Sequence, residues 1–279
     1  MTTVTIVAQG SMGAATAERL GAHGVEVRTV AAGRSAASLE RAARAGMKPV
    51  SESEAVAVDF FLSIVPPAEA LPLAERFAPF LRETPRKPVY VDLNAVNPES
   101  AKNILAVVEN TGTPAVDGSI IGLPPRTDGY TPVYYLSGAA AGRLNGLAAA
   151  GLKISVLDAP VGAASALKMS YAGINKGLIG LAASMALAAE RNGVAEALLA
   201  ELAASQPNLL AGFKRSIPDM FTKAGRWVAE MEEIAGYAGE GGHVEGDIYV
   251  SLARLYARLA ADTAGEHTES DALRQLFRA

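Results

Sequence analysis

From Thr3 to Asp158 short β-branched runs alternate with Ala-rich stretches, and beyond Asp158 the strand signal all but stops. The candidate strands are Thr3 to Ala8, Val25 to Val30, Phe60 to Val65, Val89 to Leu93, Pro114 to Asp117, Val133 to Ser137 and Lys153 to Val156. Most are nearly continuous in apolar residues, as strands covered on both faces must be. Between them lie helical stretches such as Ala14 to Leu20 and Ala36 to Ala45, with Gly21, Gly24 and Gly46 where those helices should end. This alternation predicts a parallel, doubly wound sheet over residues 1–158. Residues 159–279 read as an all-α domain, with helices over Ala164 to Asn192, Ala195 to Ser205, Leu209 to Ile217, Met220 to Tyr237 and Glu245 to Ala264. Gly241-Gly242 marks a break, and the charged tail after Thr263 is expected to fray.

The composition narrows what such a chain can do. Half of its 279 residues are hydrophobic and 19% are charged, which is the balance of a folded protein. The formal net charge is −4 and the charges are interspersed, so neither nucleic acid nor an anionic membrane is an expected partner. The absence of cysteine excludes disulfides, thiolate metal sites and cysteine nucleophiles, and the three histidines stand too far apart for a zinc motif. No metal site is expected. The uncharged stretch from Met1 to Ala17 lacks the basic start of a signal peptide, and the purest apolar run, Gly177 to Ala189, is shorter than the roughly 18 residues of a membrane span. A cytoplasmic protein is the expectation.

Three motifs point to a dinucleotide. In Val4 to Gly13 a strand enters a turn with Gly10, Ser11, Met12 and Gly13 and leaves as a helix, which aims unpaired N–H groups and the positive helix end at a phosphate. Ala8 stands where the G-x-G-x-x-G pattern has its first glycine. The next strand ends in Ala31-Ala32-Gly33-Arg34-Ser35, with no acid for a ribose 2′-hydroxyl but a guanidinium and a hydroxyl suited to a 2′-phosphate. NADP is therefore expected over NAD. Val65-Pro66-Pro67 then stops a strand with a rigid apolar loop at its C-terminal end, where doubly wound sheets bind ligands.

With these residues the chain resembles the beta-hydroxyacid dehydrogenase family, which includes 6-phosphogluconate dehydrogenase, 3-hydroxyisobutyrate dehydrogenase and, more distantly, the imine reductases. Ile6 to Gly13 is similar to its I-G-x-G-x-M-G start, Val65-Pro66-Pro67 to its V-P-P loop and Val91 to Pro98 to its D-x-S/N-T-x-x-P segment. Val116 to Gly122 matches the place of D-A-P-V-S-G-G, and Ala163 to Lys176 that of G-x-G-x-x-x-K-x-x-N-N. Lys223 to Ile234 resembles K-A-x-R-W-x-x-E-M-E-E-I of a phosphogluconate-dehydrogenase-like bacterial branch. The resemblance implies a Rossmann domain with an all-α second domain, Asn94 among the cofactor ligands, Lys168 as the catalytic lysine, and a homodimer. Two departures imply an altered substrate pocket. Ile121 occupies the serine position of the substrate loop, leaving Ser119 and Gly122 as the expected substrate contacts, and Tyr171 and Ala172 stand where the family asparagine is expected.

Lys168, Tyr171, Ala172 and Asn175 follow at i, i+3, i+4 and i+7, so an ammonium, a phenol and an amide share one helix face. Desolvation there would bring the lysine toward the working range of a proton donor to a carbonyl oxygen or imine nitrogen. A surface lysine on an interdomain helix is the plain alternative. Lys176, on another face, reads as structural, and His243 in the Gly241-Gly242 break reads as a loop histidine. Trp227, Met231 and Ile234 form an apolar stripe of core or interface type. The expected function is an NADPH-dependent oxidoreductase moving hydride between nicotinamide and a small hydroxy or oxo compound. An imine reductase or a non-catalytic NADP-binding sensor are the alternatives.

Overall fold

The computed structural model describes every residue except Ala8, Thr127, Asp128 and Ala279. Its elements follow the predicted alternation: β1 (Thr3–Val7), α1 (Ser11–Gly21), β2 (Glu26–Val30), α2 (Ala36–Arg44), β3 (Lys48–Val50), α3 (Glu52–Val56), β4 (Phe60–Ser63), α4 (Pro67–Glu83), β5 (Val89–Asp92), α5 (Pro98–Glu109), β6 (Ala115–Ile121), β7 (Val133–Ser137), α6 (Gly146–Ala149) and β8 (Lys153–Val156). Helices alone follow: α7 (Ala163–Arg191), α8 (Ala195–Ser205), α9 (Pro207–Met220), α10 (Ala224–Ala238), α11 (Glu245–Ala264) and α12 (Thr268–Leu276). The chain divides into two units, Met1–Lys168 and Met169–Ala279, so the division falls inside α7 rather than at Asp158.

In the first unit the strands form one sheet in the order β3-β2-β1-β4-β5-β6-β7-β8. Every neighbouring pair is parallel except β6 with β7. Reversal of strand order between β1 and β4 opens the crevice at the C-terminal strand ends where this architecture binds ligands. Apolar residues cover both faces. One layer packs Leu20, Leu144 and Leu147 on Val4, Val27 and Val91; the other packs Phe77, Leu81 and Ile104 on Phe61 and Tyr90. The last stretch of the strand expected to end at Ala8 lies outside the described residues.

In the first unit, β3 and α3 escaped the sequence reading. β3 is three residues long and contains Pro49, which a sheet tolerates because this strand lies at the edge. α3 is a single short turn fixed by a capping box between Ser51 and Glu54.

The second unit has its own core, in which Trp227, Met231 and Ile234 are all buried. Trp227 meets Tyr256 edge-on at 5.2 Å and 80°. Gly173 and Gly180 let α7 approach α11, since a Cβ at either would lie within 3.0 Å of Tyr249 or Leu252. Lys176 is bound to Glu230 and lies over the Trp227 ring. The tail does not fray: α12 buries Leu273, and Phe277 follows it into the core. α10 starts at Ala224 rather than Met220 because α9 runs on through Pro218 to Met220. α7 is longer than the apolar run read from the sequence. By length and composition alone this 29-residue helix could cross a membrane, at a mean hydropathy of 1.3, with 39% of the window buried within the protein.

Candidate active site

At the crevice, α1 begins on Gly10, whose extended backbone offers no side-chain cap, and the first turn carries no acid. The opening N–H groups of this helix are thus presented to whatever lies in front of them. A Cβ at Gly10 would meet nothing within 4 Å among the described residues, so the glycine keeps open a space that none of them fills. Ser11 is exposed, Met12 half-buried, and Gly13 buried against the sheet. Behind the turn, Gln9 donates from Nε2 to Thr29 Oγ1 (2.6 Å) and the Val30 carbonyl (3.0 Å), tying the loop to the end of β2. Arg41 Nε donates to the Gln9 carbonyl at 2.8 Å. These residues fit a dinucleotide.

Arg34 and Val65-Pro66 line one cavity of about 200 Å3 with Glu69 and Arg76. Among the described residues the Arg34 side chain has no hydrogen bond or ion pair. Arg76, by contrast, is held by Glu52 at 2.5 Å. Ser35 caps α2 by accepting from the Ser38 N–H, so its hydroxyl is partly engaged. Pro66 and Pro67 open α4, where a missing N–H costs nothing.

Asn94 takes a different place from the one expected. It is buried, and all its polar bonds point inward: Oδ1 accepts from the Val65 N–H at 2.6 Å, while Nδ2 donates to Ser63 Oγ at 2.8 Å and to Asp92. Its side chain braces the Val65 turn instead of offering itself to a ligand. Asp92 is fully buried; burial first, and the neighbouring Asp117 charge second, push its carboxyl up to about 8. One of its oxygens has no partner among the described residues.

Lys168 is half-buried and donates from Nζ to the Ile120 carbonyl at 2.8 Å, at the C-terminal end of β6. Ser119 does not join it. Its side chain is fully buried and its hydroxyl donates to the Ala164 carbonyl at 2.8 Å, because alternation along β6 puts residues 117 and 119 on the same face, which both use to bind the start of α7. The substrate contact expected of Ser119 is therefore corrected to a structural bond, whereas Gly122 is exposed just beyond the strand. Tyr171 and Asn175 belong to the second unit, both exposed, with Asn175 Nδ2 donating to the Tyr171 carbonyl at 2.8 Å. Sequence reasoning missed Asp117. This buried carboxylate on β6 accepts from the N–H groups of Gly162 (2.9 Å), Ala164 (3.0 Å) and Ser165 (3.2 Å), and from the hydroxyls of Ser137 (2.8 Å) and Ser165 (2.6 Å). Among the described residues, no group of acids and histidines could hold a metal ion.

Over its full length the chain superposes on a conserved protein of unknown function, MTH1747, whose structure is similar to 3-hydroxyacid dehydrogenases: 28% identity, TM-score 0.73, 99% of this chain and 100% of that one. The chain has the 3-hydroxyacid dehydrogenase fold. Residues 3–96 match the family model described as NADP oxidoreductase coenzyme F420-dependent, and residues 189–259 match a domain of unknown function, DUF1932. An uncharacterized 28.5 kDa protein of Methanothermus fervidus is 30% identical over 63% of this chain, an alignment that spans 66% of that relative's length. The 3-hydroxyisobutyrate dehydrogenase of Mycobacterium tuberculosis shares the fold at 19% identity and a TM-score of 0.74, with 99% of each chain covered. An imine reductase of Myxococcus stipitatus in complex with NADP+ shares it at 18% identity and 0.56, again over 99% of each chain. The resemblance seen in the motifs thus extends through both halves of this nucleotide-binding oxidoreductase fold.

Proposed function

We propose that this protein is an NADPH-dependent oxidoreductase of the beta-hydroxyacid dehydrogenase type, acting on a small hydroxy or oxo compound. The observation that carries the reading is Lys168, held on the Ile120 carbonyl at the same end of the sheet as the open Gly10 turn and the Val65 turn. Gly10 to Gly13 would hold the pyrophosphate, Arg34 and Ser35 the 2′-phosphate, and Val65 to Pro67 the apolar side of the nucleotide. When bound, a reduced nicotinamide supplies a hydride. The Lys168 ammonium then gives a proton to the substrate oxygen as negative charge develops there; in the reverse direction the neutral amine accepts the proton of the alcohol. Tyr171 is the other proton donor on this helix face and Asn175 an orienting amide.

A second reading, an imine reductase, draws support from Ile121 and from the burial of Ser119. Together they leave this segment of β6 without an accessible hydroxyl for an anionic substrate. The test is a panel of ketones, aldehydes, cyclic imines and secondary alcohols with Lys168→Ala beside wild type. Lys168→Ala should lower turnover by about 10² to 10⁴ and leave NADPH affinity unchanged. Binding of NADPH with no turnover across the panel would make the protein a cofactor sensor, and full turnover by the variant would remove Lys168 from the chemistry.

A further inference from the structure

We infer that Asp117 is the positioning residue for Lys168. The inference rests on the reading of Lys168 given above. α7 carries the lysine in its second turn, and the segment that starts this helix supplies no cap of its own, since Gly162 has no side chain and a φ of +101°. The cap comes from the sheet instead. Asp117 accepts from the N–H groups of Gly162, Ala164 and Ser165 and from the hydroxyls of Ser137 and Ser165, five bonds in all, so its carboxyl oxygens serve as the acceptors for the start of the helix. A negative charge at a helix N-terminus is stabilised by the helix dipole, and burial makes each of these bonds costly to lose.

The same strand holds the helix at two further points: Ser119 Oγ binds the Ala164 carbonyl, and Lys168 Nζ binds the Ile120 carbonyl. β6 therefore grips residues 162–168 along its C-terminal half, and Asp117 supplies most of that grip. A carboxylate that never touches a substrate thereby fixes where the ammonium stands. Ser165 has a separate share, because its hydroxyl and its N–H both bind Asp117, at 2.6 and 3.2 Å.

The test reads the position of the amine directly as well as through catalysis. The intact protein is acylated briefly with an N-hydroxysuccinimide ester, and labelling at Lys168 is measured by peptide mass spectrometry relative to the exposed Lys153 and Lys102 of the same unit. In Asp117→Asn the Lys168 to Lys153 ratio should rise about fivefold or more, the change that loss of a helix cap brings. Ser165→Ala, which leaves the carboxylate and its other bonds in place, should give a smaller rise and serves where Asp117→Asn does not fold. In single-turnover experiments the rate constant should fall about tenfold or more with NADPH affinity unchanged, because a small displacement of a reacting group is enough for that. A merely structural role would lower the active fraction, and so the amplitude, and would raise labelling at all three lysines together. Unchanged Lys168 labelling in a folded variant overturns the inference whatever the activity. A raised ratio in a protein whose Lys168→Ala variant keeps full turnover upholds the positioning and overturns the catalytic reading instead.

Discussion

Asp92 and Asp117 stand opposite each other in register on β5 and β6, both without exposed surface. Ser63 pairs with Asp92 on one side and Ser137 with Asp117 on the other, so a row of four buried polar residues crosses four strands. The two acids are treated differently. Asp117 receives five hydrogen bonds, while Asp92 receives one from Asn94 on one oxygen and none, among the described residues, on the other. A low-dielectric site disfavours two adjacent charges, and burial together with the neighbouring Asp117 favours a proton on Asp92.

That proton makes stability depend on pH. The carboxyl of Asp92 is raised to about 8 in the folded chain, against 3.8 for an unperturbed aspartate. Between those values the native state binds a proton that the unfolded chain has released. The stabilisation is complete below about pH 4 and is lost as pH rises through about 8, with a slope of up to about 1.4 kcal/mol per pH unit from this one group. Asp92→Asn keeps a neutral side chain there and should flatten the dependence. Urea midpoints of both proteins between pH 5 and 9 check it; parallel curves would assign the proton elsewhere.

Gly10 separates cofactor binding from folding. Its backbone is extended and no atom of the described residues lies within 4 Å of an added Cβ, so Gly10→Ala should unfold at the wild-type temperature in the absence of cofactor. The methyl nonetheless occupies the space in front of the α1 N-terminus, and NADPH affinity should fall by about tenfold or more, or roughly 1.4 kcal/mol. Melting with and without NADPH measures both. A variant that binds as wild type does would show that the pyrophosphate lies elsewhere.

Arg34 should set the preference between the two nicotinamide cofactors. Its guanidinium is uncommitted among the described residues, and a charge-assisted bond to a 2′-phosphate is worth roughly 1.5 to 3 kcal/mol. Arg34→Ala should weaken NADPH by about one to two orders of magnitude and leave NADH nearly unchanged. Equal loss for both cofactors, by calorimetric titration, would refute the assignment.

How much of this was legible in the sequence depended on the range of the interaction. β1, β4 and β5 announce themselves because burial on both faces forces continuous apolar runs, and the Gly10 turn is local by nature. β3 gave no such signal, being three residues long with a proline inside. Asp117 was invisible as a cap because its partners lie 45 to 48 residues away, and only the folded sheet brings them together. The misreading of Ser119 came from ending β6 at Asp117. Had the strand been carried on to Ile121, its alternation would have put Ser119 on the same face as Asp117, within a strand buried on both faces.

The face that α7 and α11 leave open in the second unit bears on assembly. Ile174, Leu178, Leu181 and Met185 of α7 are exposed, as is Ile248 of α11, and a cavity of about 510 Å3 lies between these helices. An apolar patch of this kind on a folded unit marks a surface meant for contact, and a second copy laying the same face against it would form an isologous dimer. Leu178→Glu puts a charge into the middle of that patch without touching the Trp227 core. Wild type should scatter light at twice the 28.8 kDa chain mass at micromolar concentration, and the variant at the chain mass with its fold retained. Monomeric wild type would exclude the dimer. Wild type that instead partitions onto neutral phosphatidylcholine vesicles, with Leu178→Glu staying in solution, would give this face to a lipid surface.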